Sequence, residues 1–338
     1  MKTEKTIVIM GGSFNPPTRA HFLTLQAAMD AVKAEKGFFV PVSHAYLKRK
    51  MRKNGASHLC LPDELRMKML EVMCQEDERL EVSDMELNEI MAVTYETMSA
   101  FSEQYPQAKC YFVAGADKLN LLCHMGENSD FLERFGIVLF YRDGIDVEKE
   151  MKSRNVLWKN RKTIIRKAQP EGIGHISSTV VREKMFSEES LQGYLHPAAE
   201  ELLRNVNIKD FPEEICKFQD DYEFLNNRYP APFKWRKRMF GTADAAFKAA
   251  QNTLETKQEL LDTMEEIVRC KFEQHPELME KLLDTDGKVL IAGSNGKEVF
   301  WGINLYAWKG ENYLGKILMK IREEKQSEIQ YRNNSKQI

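Results

Sequence analysis

The sequence predicts an α/β fold with a parallel, doubly wound sheet, followed by a smaller, mostly helical α+β domain. Three observations carry this. Short runs rich in Ile, Val and Phe alternate with helical patterns over residues 1–205. The first such run ends in a glycine turn that opens a helix. After residue 217 the texture changes to an aromatic, extended segment and then to long helical stripes. The expected organisation is a first domain over 1–205, a linker over 206–216, a second domain over 217–325 and a polar tail over 326–338.

At 338 residues the chain is long for one core, which agrees with two domains. An apolar content of 43% and a charged content of 30% are those of a soluble globular protein. A net charge of −2 gives no basic field for general nucleic-acid binding, although local basic patches are compatible with it. Neither a signal-peptide core nor a membrane-spanning apolar run is present, so no membrane partner is expected and the expected location is cytoplasmic. The six cysteines are scattered without a Cys-x-x-Cys pair and read as reduced thiols. The seven histidines do not cluster with them, so no protein-bound metal is expected.

Thr6 to Met10 reads as a buried strand, and Phe22, Leu25, Ala28, Met29 and Val32 recur at helical spacing. Between them lies Met10-Gly11-Gly12-Ser13-Phe14-Asn15-Pro16-Pro17-Thr18-Arg19-Ala20-His21. The glycines allow a sharp turn and close approach of a ligand to the main chain. Thr18 is a natural N-cap, and the helix start presents free N–H groups and the positive dipole end. Thr18 and His21 share one face of the first turn, which aims a hydroxyl and an imidazole at an anion. A capped glycine turn with an exposed histidine is the plain alternative.

Gly37 to Val42 reads as a second strand, followed by a basic loop over 43–53 in which Tyr46 and Lys48 would reach a phosphorylated substrate. Pro62 opens a helix through Cys74, Leu80 to Val82 is a short strand, and Val93 to Phe101 is helical with Thr94 at its start. Lys109 to Gly115 is a strand ending in Gly115-Ala116-Asp117, and an Asp just past a strand end sits where open α/β sheets bind ligands. Phe135 to Tyr141 is another strand, followed by Arg142-Asp143-Gly144. Farther on, Ser177-Ser178-Thr179 caps a helix that carries Arg182 one turn beyond Ser178. Two hydroxyls, free N–H groups and a guanidinium then gather at a second helix start, suited to phosphate oxygens.

Over the first ~205 residues these motifs resemble the nicotinamide or nicotinate mononucleotide adenylyltransferases, of the nucleotidyltransferase superfamily with its HxGH-type motif and Rossmann-like fold. The carrying residues are Gly11 to Thr18 with His21, Gly115 to Asp117, and Ile176 to Thr179 with Arg182; Ala45-Tyr46 and Tyr194-Leu195-His196-Pro197 add to them. Thr18 stands where most bacterial members have His, a eukaryotic-type variant. The resemblance implies that the substrate's own 5′-phosphate attacks the α-phosphate of ATP, with Mg²⁺ accompanying ATP, and that pyrophosphate leaves. It implies His21, Thr18 and Arg182 as catalytic groups on the phosphates. Gly11, Gly12, Ser13, Phe14, Gly115, Asp117, Ser178 and Thr179 would bind ATP. Tyr46, Lys48, Thr94 and Trp158 would face the pyridine mononucleotide. Sister enzymes acting on other phosphorylated acceptors share the superfamily.

In the second half, Tyr222 to Phe233 is aromatic and extended, and Thr242 caps a helix with Asp244 in its first turn. Leu254 to Leu283 is mostly helical, Val289 to Trp301 suggests a hairpin around Asn295-Gly296, and a last helix runs to Arg322. This half resembles the NADAR family through Phe224 to Asn227, Tyr229-Pro230, Thr242 to Phe247, Lys271-Phe272, Phe300-Trp301-Gly302 and the Gly310, Asn312, Gly315, Arg322 series. The resemblance implies binding or cleavage of an N-glycosidic, ADP-ribose-type ligand, with Asn227, Asp244, Trp301, Gly302, Asn312 and Gly315 as candidate site residues. A nucleic-acid partner follows only if the ligand is an ADP-ribosylated base. Asp244, Gln251, Ala292 and Glu298 depart from the family pattern, which keeps a ligand-binding or sensor role beside a hydrolytic one.

Overall fold

The computed structural model of the chain describes residues 5–53, 56–88, 94–141, 146–296 and 299–335, the last three by backbone alone. Glu298 and Arg142-Asp143-Gly144 lie outside the described residues. The chain divides into two compact units, 1–210 and 211–338.

The first unit alternates as the apolar runs suggest. Its elements are β1 (Lys5–Gly12), α1 (Arg19–Val32), β2 (Lys36–Pro41), α2 (His44–Arg52), α3 (Asp63–Cys74), β3 (Leu80–Val82), α4 (Thr94–Gln104) and β4 (Ala108–Gly115). They continue through α5 (Leu119–Asn128), α6 (Phe131–Arg134), β5 (Gly136–Tyr141), α7 (Val147–Lys152), α8 (Asn155–Lys159), β6 (Ile164–Ala168), α9 (Ser178–Phe186) and α10 (Pro197–Leu203). All six strands pair in parallel, in the order β3-β2-β1-β4-β5-β6. The strand order reverses between β1 and β4, so the crevice at their C-terminal ends is where this topology places ligands. Ile7 and Ile9 of β1 join a core with Met98 and Phe101 of α4 and with Ile137 and Leu139 of β5. By strand alternation Val8 and Met10 face the other side, where Leu25 and Met29 of α1 are fully buried. Both faces of β1 are therefore covered, as its continuous apolar run requires.

Two expectations change here. Residues 44–52 form a helix rather than a basic loop, capped by Ser43, whose side chain accepts from the Tyr46 amide. Leu47 and Met51, four apart, bury against Val42 and Cys60 and hold it down. A sixth strand, β6, extends the sheet beyond the five read from the sequence.

In the second unit, β7 (Glu214–Ile215), β8 (Phe233–Trp235) and β9 (Arg238–Phe240) precede α11 (Ala243–Ala250), α12 (Lys257–Glu273) and α13 (Pro276–Leu283). Then come β10 (Val289–Leu290), β11 (Gly293–Ser294), β12 (Ile303–Asn304) and α14 (Tyr313–Ser335). The helices enclose a core that includes Phe224, Phe233, Met264, Ile267, Phe272, Leu282 and Leu318. Among the described residues no hairpin forms around Asn295-Gly296. β10 pairs in parallel with β7, and β11 in parallel with β12. Close packing explains this: a Cβ on Gly293 would stand 2.1 Å from the Cys216 carbonyl, and one on Gly302 2.0 Å from the Ala292 carbonyl. Strand β7 and the buried Ile208 occupy the stretch read as a linker. Helix α14 continues to Ser335, through residues that composition reads as a tail.

Candidate active site

The site is built on the turn between β1 and α1. Thr18 caps α1 in a capping box whose third helical residue is His21. The Thr18 side chain accepts from the His21 amide at 3.4 Å, and His21 Nδ1 accepts from the Thr18 amide at 3.0 Å. Thr18 Oγ1 also lies 2.8 Å from Nδ1. A ring nitrogen that accepts a main-chain N–H carries no proton of its own, so the proton of the neutral ring sits on Nε2. Burial, with the Lys50 charge second, pushes the imidazole down to about 4. His21 is therefore a neutral donor through Nε2–H near pH 7.

The turn itself is held at five points. Asn15, almost wholly buried, donates to the Leu59 carbonyl at 3.0 Å and accepts from the Leu61 amide at 2.8 Å. Arg66, with no exposed surface, donates to the Ser13 carbonyl at 2.7 Å and to the Val42 carbonyl at 2.6 Å, and pairs with Asp63. Ser178 donates to the Pro16 carbonyl at 2.8 Å and Arg182 to the Asn15 carbonyl at 2.5 Å. The Arg19 amide donates to the Tyr194 carbonyl at 2.9 Å. Phe14 adopts φ 42° and turns its ring edge onto His21 at 5.0 Å and onto Phe39 at 5.5 Å. A Cβ on Gly12 would meet that ring at 2.9 Å, so glycine is required there by packing.

Two adjoining cavities open at the ends of β1 and β4. One, of about 590 Å³, is lined by His21, Thr24, Phe112, Gly115, Phe140 and Gln169 among others. The second, of about 450 Å³, is lined by Ser13, Tyr46, Lys50, Glu86, Thr94 and Thr97 among others. Gly11, Phe112, Asp117, Lys118 and Leu121 border both. Each is of the size that takes a small ligand. A Cβ on Gly115 would stand 2.5 Å from Asp117 Oδ1, so glycine lets that carboxylate fold back over the strand end, where it pairs with Lys118 at 2.8 Å. Lys50 donates to Ser13 Oγ at 3.0 Å. Burial and then the Lys118 and Arg182 charges hold its ammonium below the usual lysine range.

Of the residues singled out in the sequence, Gly11, Gly12, Ser13, His21, Tyr46, Thr94, Gly115 and Asp117 line these cavities. Others do not. Thr18 is wholly buried and its hydroxyl is engaged with His21, and Phe14 is packed beneath the same ring. Ser178 and Arg182 bond the turn, and Arg182 bonds Thr179 at 3.2 Å. Lys48 is buried: on a helix Tyr46 and Lys50 share the cavity face, and Lys48 does not. Trp158 stands between Lys152 at 5.1 Å and Arg161 at 4.9 Å and lines neither cavity. Reading by motif missed Lys50, Arg66 and the buried Glu86, which accepts from Thr97 Oγ1 at 2.5 Å. Only Lys50 had a local signal, four residues after Tyr46.

In the second unit the candidates split. Asn312 Nδ2 donates to the Leu290 carbonyl at 2.8 Å and Oδ1 accepts from the Ala292 amide at 2.9 Å, so its amide is spent on main chain. A Cβ on Gly315 would strike the Leu290 carbonyl at 2.0 Å. Gly302, Asn312 and Gly315 thus serve close packing. The Asp244 amide donates to the Asn227 carbonyl at 2.9 Å, and the Asp244 carboxylate pairs with Lys248 at 2.7 Å. Asn227 Nδ2 meets Met264 Sδ at 3.3 Å, and Trp301 packs edge-on to Phe247 at 5.2 Å. Gln251 is exposed, and Ala292 is partly buried.

Among the described residues no group of three or more His, Cys, Asp and Glu side chains is placed to hold a metal ion, and no helix is long and apolar enough to cross a membrane.

Comparison with known proteins places both halves. The cytidylyltransferase-like family model matches residues 9–184, and the NADAR domain model matches residues 241–325. A probable nicotinate-nucleotide adenylyltransferase of Clostridium botulinum is 27% identical over 190 residues, covering 55% of this chain and 90% of its own length. One from Shouchella clausii is 26% identical over 205 residues, covering 60% and 96%. Plasmodium falciparum nicotinic acid mononucleotide adenylyltransferase complexed with NaAD superposes with a TM-score of 0.48 at 20% identity, over 61% of this chain and 98% of that one.

Proposed function

The chain belongs to the cytidylyltransferase-like family, is a nucleotidyltransferase and carries a NADAR domain, and from that premise we propose that its first unit adenylylates a pyridine mononucleotide. The acceptor's 5′-phosphate oxygen bonds to the α-phosphorus of ATP. The bond from that phosphorus to the bridging oxygen breaks, and pyrophosphate leaves. The names of the relatives make nicotinate mononucleotide the first acceptor to test, with the nicotinamide form beside it. The observation that supports this reading most is the pair of cavities sharing Gly11, Phe112 and Asp117, one bordered by His21 and the other by Tyr46 and Lys50. ATP fits the first and the mononucleotide the second, with the reacting phosphates at the shared wall.

No side chain needs to act as a nucleophile; the enzyme supplies position and charge. His21 Nε2–H donates to a phosphate oxygen whose charge grows in the transition state. Thr18 and Phe14 position that ring. Lys50 and Lys118 bring cations to the shared wall, and Arg182, its guanidinium bonded to the Asn15 carbonyl and Thr179, acts through the turn that carries His21. Asp117 accepts from ribose hydroxyls. Mg²⁺ enters with ATP as part of the substrate and is held chiefly by the phosphates, which suits a site with a single carboxylate at the shared wall.

Pyrophosphate release with ATP, Mg²⁺ and either mononucleotide tests this directly. In His21→Ala, kcat falls a hundredfold or more, about 3 kcal/mol, with the fold retained. A fully active variant, or no release with either acceptor, overturns the assignment.

For the NADAR domain the reading is binding of an ADP-ribose-type ligand. The pairing of Asp244 with Lys248 and the alanine at 292 support retention of a ligand over its cleavage. Release of base from ADP-ribosyl guanine or from a riboflavin precursor by the full chain would establish a hydrolase instead.

A further inference from the structure

The cavity that fits ATP has a far end to which adenylyl transfer itself gives no role. Its border with the mononucleotide cavity is set by Gly11, Phe112, Asp117, Lys118 and Leu121. From there it runs across the ends of β4 and β5 to β6, where Phe140 and Gln169 line it. Neighbouring strands lie about 4.8 Å apart, so β1 and β6, three steps apart in the sheet, are separated by roughly 14 Å. Phosphates and ribose at the shared wall therefore put the nucleobase at the β6 end. Met10, Val113, Ala114 and Phe140 give that end apolar walls, which suit a flat ring.

The polar side chains of this cavity are those of His21, Thr24, Asp117, Lys118 and Gln169. His21 and Lys118 serve phosphates and Asp117 serves ribose, which leaves Thr24 and Gln169 for the base. Of these two, Gln169 alone offers a donor and an acceptor side by side in one plane. Its main chain is fixed. The Gln169 amide donates to the Tyr141 carbonyl at 2.9 Å, one rung past the pairing of Tyr141 with Ala168. Pro170 holds the residue before it extended. Lys167 pairs with Phe140, so by alternation Gln169, two residues on, falls on the same face of the sheet as Phe140. Among the described residues no other group bonds its carboxamide.

We propose that Gln169 reads the nucleobase and selects adenine, an inference that rests on ATP occupying this cavity. Its Oε1 accepts from the 6-amino group and its Nε2 donates to N7, the bidentate pairing a carboxamide makes with adenine. On the same edge guanine presents two acceptors, O6 and N7, so Oε1 would face an oxygen with no proton between them.

Calorimetric titration of the full chain with Mg²⁺ and a nucleotide, with no acceptor present, tests the proposal. The nucleotides are ATP, GTP and purine riboside triphosphate, which is ATP without its 6-amino group. Wild type is expected to bind ATP roughly tenfold or more tighter than either of the others. In Gln169→Leu the ATP affinity should fall to that of the analogue, while the analogue itself binds variant and wild type within about threefold of each other. A role in shape alone would instead weaken all three nucleotides by one factor. Gln169→Ala gives the same comparison if the leucine does not fit. Because no acceptor is needed, the result stands apart from pyrophosphate release, on which the adenylyltransferase reading depends. Equal binding of the three nucleotides by wild type, a uniform loss in the variants, or no binding of ATP overturns the proposal.

Discussion

His21 owes its chemistry to a helix cap. In most capping boxes the third helical residue is Glu or Gln, which reaches back to the cap amide. Here an imidazole makes that bond, and the bond decides which nitrogen faces the cavity. A protonated ring would have to give up Nδ1 as an acceptor and break the cap. Burial and Lys50 push in the same direction, since both disfavour the cation. The free enzyme should therefore show an imidazole that titrates with a midpoint near 4, against 6.5 for an unperturbed histidine. An NMR titration of the ring reads this directly. A midpoint near 6.5 would mean that the ring is not held by Thr18 and would make His21 a general acid. Thr18→Ala removes the hydroxyl but leaves the main-chain donor, so it should weaken the cap by about 1 kcal/mol without inverting the tautomer.

At the scale of elements, α2 decides which lysine meets substrate. Read as a loop, residues 43–53 offer several equivalent cations. As a helix they do not, because Tyr46 and Lys50 share a face while Lys48 turns inward. Lys50→Ala should lower kcat/KM for the mononucleotide by more than tenfold, and Lys48→Ala should act chiefly on thermal stability. Equal losses of kcat/KM in the two variants would contradict the helical register. The strand, turn and helix from Lys5 to Val32 were legible because every signal there is local: an apolar run, two glycines, a cap and a 3.6-residue period. The helix at 44–52 was half legible, since Leu47 and Met51 have the right spacing inside a run otherwise too polar to read. Arg66 left no local trace, because its partner at Ser13 lies 53 residues away in sequence, and Ser178, legible as a helix-start hydroxyl, gave no sign that it bonds Pro16, 162 residues away. The Asn295-Gly296 hairpin differs for a related reason: the approach of Gly293 to the distant Cys216 carbonyl, with Gly302 pressed on the Ala292 carbonyl, overrides a good turn dipeptide.

For the whole molecule, two compact units with separate cores suggest separable functions. Residues 1–210 expressed alone should keep kcat/KM for adenylyl transfer within about threefold of the full chain, and an insoluble or inactive fragment would contradict that independence. The second unit carries its own titration. Lys271 is 1% exposed in its core, with its ammonium donating to the Phe224 carbonyl at 2.7 Å and the Asn226 carbonyl at 3.1 Å. Two effects compete there. The carbonyls favour the ammonium, whereas burial without a carboxylate pulls it down to about 7 from 10.5. If burial prevails, the unfolded chain holds a proton between about pH 7 and 10.5 that the folded chain has released, so stability rises with pH across that window and reaches its floor near pH 7, below which both states hold the proton. Lys271→Met removes the titration while keeping the bulk. The Tm of the wild type minus that of the variant should therefore grow from pH 7 to pH 10, read on the transition of the second unit. A difference that stays constant would show that the two carbonyls hold the proton after all, and that Lys271 is a charged group bonding the Phe224 and Asn226 carbonyls rather than a buried neutral amine.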